Sequence, residues 1–324
     1  MSRLTVWLSG LTEFASAAEI LEKVGRIHTS TGSAWQRTQI WGERYRQAEE
    51  RARRAASQVE TRQGIVPGQV HENQRMGVAM DGTMIQIRKE GWKEVKVGCV
   101  FGVGRTQARD EITGEDIEVG CAEDNSYTAY LGGPETFGEK VWAEAKRRGW
   151  QRAVDSQAIG DGAPWIWNLV QEHFYDSEQG VDWYHAKEHL GKAGQLLHGE
   201  GTPKLHGWLN EQETRLFQGH AEEIATLLRQ EAQQKPTVAE GLLSEAGYFE
   251  NNKRRMDYME LRSQGWVIGS GMVESGGKQF KHRMAGPGMQ WSRSGAEIML
   301  PIRSAILSGR FDQVWHEAYI SPQN

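Results

Sequence analysis

Three acidic residues stand in three unlike settings: Asp81 in AMDGT, Asp161 in AIGDGAPWIW and Glu274 in IGSGMVESGGKQFKHR. The first two close apolar, strand-like runs, and the third sits where a Gly-rich turn enters a basic helix. Carboxylates gathered from distant parts of a chain build oxygen-ligand sites for Mg²⁺ or Mn²⁺. Two such ions drive in-line attack on a phosphodiester. The order Asp, Asp, Glu therefore points to DNA strand chemistry.

Each residue also has a plainer reading. Asp81-Gly82 is a turn dipeptide, yet the apolar run continues past it to Ile87, which argues for a strand and a ligand role. Asp161 ends a strand between glycines, where α/β sheets place binding residues, and it is equally a good helix N-cap. Glu274 is a first-turn helix glutamate, a common surface feature. Its neighbours Lys278, Lys281, His282 and Arg283 raise it above that background, because a carboxylate beside phosphate-binding cations is the layout that phosphoryl transfer needs. Trp291 and Arg293, after a Gly-Pro-Gly turn, interleave an aromatic with basic residues as a base-stacking, phosphate-holding loop does. In DWYHAKEHL, Asp182 and His185 form an accessory pair; Glu188 is misplaced for a zinc-protease site that used His185 and His189.

Positioning these groups requires an α/β domain. Met76–Ile87 and Val95–Val103 read as consecutive strands, with a third near 117–121. A helix from Pro134 to Arg148, a strand from Arg152 to Ile159, a helix from Pro164 to Phe174 and a short strand from Gly180 to His185 follow. These make residues 71–185 the first part of a mixed-sheet domain. Residues 186–262 carry no strand signal and read as a helical insertion, with helices over 205–217, 221–233 and 238–261. The chain returns at 263–324 through the glycines near Glu274 and basic C-terminal helices. Ahead of the sheet, 1–70 is an N-terminal helical segment. Its 17–40 stretch has the rhythm of a helix-turn-helix, which would put Trp35 and Arg37 on a groove-reading helix, and 42–63 reads as a connecting helix.

With 324 residues the chain is long enough for one large domain with an insertion. Its net charge of −5 is uneven, since 251–310 holds ten lysines and arginines against four acidic residues. Cys99 and Cys121 have neither metal-ligand spacing nor a disulfide framework, which fits a reducing cytosol. No apolar run is long enough to span a membrane, and the start lacks the succession of a signal peptide.

These pieces resemble an insertion-sequence transposase of the DDE, RNase-H-like class, most similar to the Kra-type group related to Mutator-like transposases. The similarity covers about residues 75–320: MDGT, IGDGAPWIW, DWYHAKEHL and the long GSGMVESGGKQFKHRM–GPGMQWSRSGAE–LPIRSAILSGRFDQVW. It implies an RNase-H-like fold interrupted by a helical insertion. Asp81, Asp161 and Glu274 would bind two Mg²⁺ (or Mn²⁺) ions, accompanied by Asp182 and His185. Implied partners are double-stranded DNA, as transposon ends and target, and a second copy or more of the chain, in a nucleoid-associated cytoplasmic setting. Lys278, Lys281, Arg283 and Arg293 are the expected phosphate contacts. Members of the group carry a longer leading region, so the start is expected to be trimmed, with 17–40 as the remnant of an end-binding part. Two other readings share the fold: a structure-selective nuclease, and a domesticated DNA-binding derivative without transposition. A glycosidase using two of the carboxylates leaves the basic segment unused.

Overall fold

The computed structural model describes residues 1–58, 74–109, 114–286 and 288–320. Three helices come first: α1 (Ser2–Leu11), α2 (Phe14–Lys23) and α3 (Thr31–Gln58). Strands β1 (Met76–Ile87), β2 (Gly91–Arg109) and β3 (Asp116–Tyr130) follow, then α4 (Pro134–Arg147), β4 (Ser156–Gly160), α5 (Pro164–His173) and β5 (Glu178–Val181). A helical stretch comprises α6 (Trp183–His198), α7 (Pro203–Phe217), α8 (Ala221–Gln234), α9 (Ala239–Asn252) and α10 (Tyr258–Ser263). The last helices are α11 (Gly271–Met284), α12 (Arg293–Leu307) and α13 (Phe311–Ile320). None of the described helices is long and apolar enough to cross a membrane.

The chain is α/β, with one mixed five-stranded sheet in the order β3-β2-β1-β4-β5. β1–β2 and β2–β3 pair antiparallel, while β1–β4 and β4–β5 pair parallel. Alternation along β1 sorts the two cores, as the two-residue period of a strand requires. Val78 and Met80 pack with Phe137, Val141, Ile166 and Leu169 of α4 and α5. Ala79, Ile85 and Ile87 pack with Val273 and Phe280 of α11 and with Met299 and Leu300 of α12. Helices therefore cover both faces, and the helical stretch from α6 to α10 builds a separate core around Leu190, Leu228 and Phe249.

Several expected boundaries change: the helix expected over 238–261 is two, α9 and α10, and the strand expected over Val95–Val103 extends to Gly91–Arg109. The strand placed at 180–185 ends at Val181, because the Asp182 side chain accepts the His185 N–H and starts α6. β3 is far longer than the 117–121 signal; its second half, CAEDNSYTAY, contains the register shift opposite Val100/Gly102 and is buried from Ser126 to Ala129. The expected two helices at 29–39 and 42–63 are a single helix as far as Gln58, with residues 59–63 outside the described residues. Gly42 does not break it. A Cβ there would lie 2.1 Å from Ile298, so this glycine lets α3 and α12 touch. Val6, Trp41 and Tyr45 belong to the same core as β1 and α11, which joins the N-terminal helices to the sheet.

Candidate active site

Strand register brings the first two carboxylates together. Met80 is paired with Gly160, and Gly160 with Val181, across three adjacent parallel strands. Asp81, Asp161 and Asp182 are the next residue on each. All three thus lie at the same end of the sheet, at the carboxyl ends of β4 and β5, the edge at which open α/β sheets gather ligand-binding groups.

Glu274 arrives from α11, which packs across β1. One glycine permits the close approach: a Cβ on Gly276 would lie 2.5 Å from the Tyr127 ring, whereas one on Gly277 would meet Thr83 only at ordinary contact, 3.9 Å. The Tyr127 hydroxyl donates to Met272 O at 3.1 Å and ties the start of α11 to β3. Gly276 thus makes room for the sheet.

Asp182 does not face a ligand freely. It is fully buried and accepts from His185 N at 2.7 Å, His185 Nδ1 at 3.2 Å and the Ser270 N–H. Burial alone would push its carboxyl up, but these donors outweigh it and hold the group below the ordinary carboxylate range. In turn its hydrogen bond lifts His185 to about 9, against the opposing effect of burial, so the imidazole is protonated at neutral pH. Ser270 Oγ also donates to Glu274 Oε1 at 3.3 Å, so one residue connects β5's end with α11.

One donor cluster emerges among the described residues: ligand atoms of Asp182, His185 and Glu274 lie within 4.8 Å of one another, whereas Asp81, Asp161 and Glu274 do not gather that closely. Both Asp182 oxygens already accept from N–H donors. Asp81, Asp161 and Glu274 are the set expected from the sequence, and they are coupled through their charges. Burial raises the Asp81 carboxyl above its usual range, one hydrogen bond from Gly82 N (2.6 Å) opposes this, and the negative charges of Asp161 and Glu274 raise it further. A buried carboxylate repelled by its neighbours is what a cation relieves. The donors are all oxygen, which suits Mg²⁺ or Mn²⁺ over softer metals.

Asp161 is fixed from two directions. Its Oδ1 accepts from Ala163 N at 2.8 Å, a local turn ahead of α5 rather than the N-cap itself, which is Ala163, and its carbonyl accepts from the Tyr248 hydroxyl at 3.0 Å. Gly162, at φ +100°, takes a backbone shape that side chains disfavour.

The basic and aromatic residues divide. Lys278 and Lys281 are exposed, and Lys278 Nζ lies 3.7 Å from Glu274 Oε2. Trp35 is about half exposed on α3, whereas Arg37 is partly buried and donates to Thr5 Oγ1 at 3.3 Å. Arg283 is 2 % exposed: it donates to Ser9 O at 2.8 Å and lies over the rings of Phe14 and Trp291, so it is withdrawn from the expected phosphate contacts. Burial, helped by the nearby Arg303 charge, lowers it to about 10. Trp291 is also buried; its indole N–H donates to Met284 O at 2.9 Å and its backbone bridges to β1, so it is no stacking platform. Arg293 grips Glu90 through Nε at 3.0 Å and through Nη2.

Helical spacing held the clue to Arg283. Val273, Gly276, Phe280, Arg283 and Met284 follow one stripe of α11, and all are buried. Tyr248 escaped notice because it lies in no motif, and Ser270 because attention within IGSGMVESGG fell on the glutamate and the glycines. A cleft of about 960 Å³ opens at the other end of the sheet, lined by Arg75, Trp142, Asp155, Ser156 and Trp266. None of the candidate carboxylates lines it. No protein-family model and no curated protein matches this chain.

Proposed function

We propose that the chain is a DNA transposase of the RNase-H-like class, in which Asp81, Asp161 and Glu274 hold Mg²⁺ or Mn²⁺ for phosphodiester hydrolysis and strand transfer. One observation carries the reading: register sets Asp81 and Asp161 side by side on β1 and β4, and α11 brings Glu274 within electrostatic reach. The mixed sheet with helices on both faces is compatible with that fold. An all-helical run between β5 and α11 fits the insertion that the family carries.

Bound divalent ions supply charge that activates an attacking oxygen and stabilises the leaving one. The chain's own residues set the stage for this. Asp182 orders His185 and Ser270, and through Ser270 it steadies Glu274. Lys278, one turn after Glu274, and Lys281 are the exposed cations placed to meet backbone phosphates. The protonated His185 adds positive charge beside Asp81. Double-stranded DNA is the proposed partner, as element end and as target, and joining two ends calls for a dimer or a larger assembly.

The test is product analysis with Mg²⁺ and duplexes carrying the DNA that flanks the gene. Free 3′-hydroxyl ends and joined target molecules support a transposase, whereas breaks without joining favour the nuclease reading. Asp81→Asn, Asp161→Asn and Glu274→Gln should each abolish product. Cleavage that survives in these variants would refute the metal assignment.

A further inference from the structure

The helical stretch between β5 and α11 touches the chain just after β4 through α9. Tyr248 on α9 donates its hydroxyl to the Asp161 carbonyl at 3.0 Å. Its ring lies against Gly162, where a Cβ would come within 2.7 Å of Tyr248 Cε2. On its other side the ring stacks on His189 of α6, with centroids 3.5 Å apart and planes 13° from parallel. Glu245, one turn before Tyr248 on α9, holds His189 Nδ1 in a hydrogen bond. Asn252 closes the set by donating to the Tyr248 carbonyl at 3.0 Å.

We infer that Tyr248 is a positioning residue for Asp161, and that the helical stretch, through the Glu245–His189–Tyr248 stack, sets where that carboxylate points. The inference rests on the metal-site reading above and deepens it. Asp161 follows a strand of only five residues and precedes Gly162, the residue with the least intrinsic backbone constraint. Without an external tie the peptide after Asp161 is free to rotate, and the carboxylate rotates with it. Tyr248 supplies that tie at the carbonyl while Ala163 N–H holds Oδ1, so the carboxylate is fixed at both ends. A metal ligand held by an outer hydrogen bond loses roughly 10- to 100-fold in metal affinity when the partner is removed.

The experiment is a calorimetric titration of the full chain with Mn²⁺, comparing wild type with Tyr248→Phe. That change removes the hydroxyl and leaves the stack. We expect Mn²⁺ binding about tenfold weaker in Tyr248→Phe, with kcat for DNA cleavage reduced and KM for DNA unchanged. His189→Leu, which keeps the hydroxyl but removes the ring beneath it, should weaken Mn²⁺ roughly threefold and serves if Tyr248→Phe does not fold. Equal Mn²⁺ affinity in a folded variant and wild type would overturn the positioning role, even if its melting temperature fell. A wild-type chain that takes up no Mn²⁺ would overturn the metal reading and this inference with it.

Discussion

Two half-hidden carboxylates, Glu144 on α4 and Asp81 on β1, are both raised by burial yet end on opposite sides of the ordinary carboxylate range. Glu144 on α4 is met by Arg147 and Arg310, with Arg310 Nη1 at 2.7 Å from Oε2 and Arg147 Nε at 2.9 Å. Burial would raise it, but the two guanidiniums win and draw it down to about 2. Asp81 has a backbone N–H and two acidic neighbours instead, and it is pushed up. Folding has provided Glu144 with its counter-charge from within the chain. Around Asp81 the nearby His185 opposes the rise without overcoming it, so the two carboxylates differ in how far the chain itself supplies the counter-charge.

The largest effect should come from breaking the satisfied pair. Glu144→Ala strands two guanidiniums and should cost about 3 kcal/mol, the low end for opening a buried pair because both arginines still touch solvent. Urea unfolding measures it. The pH dependence has a definite sign. Since Glu144 is lowered from an ordinary 4.5 to about 2, its contribution is complete above about pH 4.5 and is lost as pH falls toward 2. Acid unfolding of Glu144→Gln should therefore be flatter than wild type across that interval.

Asp81→Asn should act in the other direction. Without divalent ions it removes a repelled charge and should raise the melting temperature by on the order of 2 °C. Added Mg²⁺ should then stabilise only the wild type, reversing the order of the two proteins. If Asp81→Asn instead lowers stability without metal, the carboxylate is satisfied internally and the contrast with Glu144 collapses.

Gly276→Ala probes how the third carboxylate is delivered. Its methyl would meet the Tyr127 ring and push α11 from the sheet, an overpacking cost of about 1–3 kcal/mol accompanied by weaker metal binding. The smallest effect should be Trp291→Phe, which loses one buried hydrogen bond, about 1 kcal/mol. Fluorescence-anisotropy titration should show its DNA affinity unchanged, because the ring faces the core.

Much of the sheet was legible because its signal is local. Alternation fixed the bounds of β1, and Gly160-Asp161-Gly162 marked the end of β4. The polar edge strand β3 was mostly invisible, since a strand with one solvated edge has no apolar pattern to betray it. Asp81, Asp161 and Glu274 could be picked out by residue type, but their convergence depends on register and on α11's approach to Tyr127. Charge misled at Arg283, and an aromatic set among basic residues misled at Trp291. A basic run looks alike in sequence whether its guanidiniums meet phosphate, a neighbouring carboxylate or the carbonyls at the end of α1. Tyr248 lay beyond reach, because a hydroxyl donating to a carbonyl 87 residues away leaves no spacing to read.

The central claim is that Asp81, Asp161 and Glu274, rather than Asp182 and His185, take up the divalent ion. Calorimetric Mn²⁺ titration of Asp81→Asn, Glu274→Gln and His185→Gln tests it most directly. The account predicts that Mn²⁺ binding is lost in Asp81→Asn and Glu274→Gln and largely kept in His185→Gln. Binding that survives Asp81→Asn but disappears in His185→Gln would contradict it.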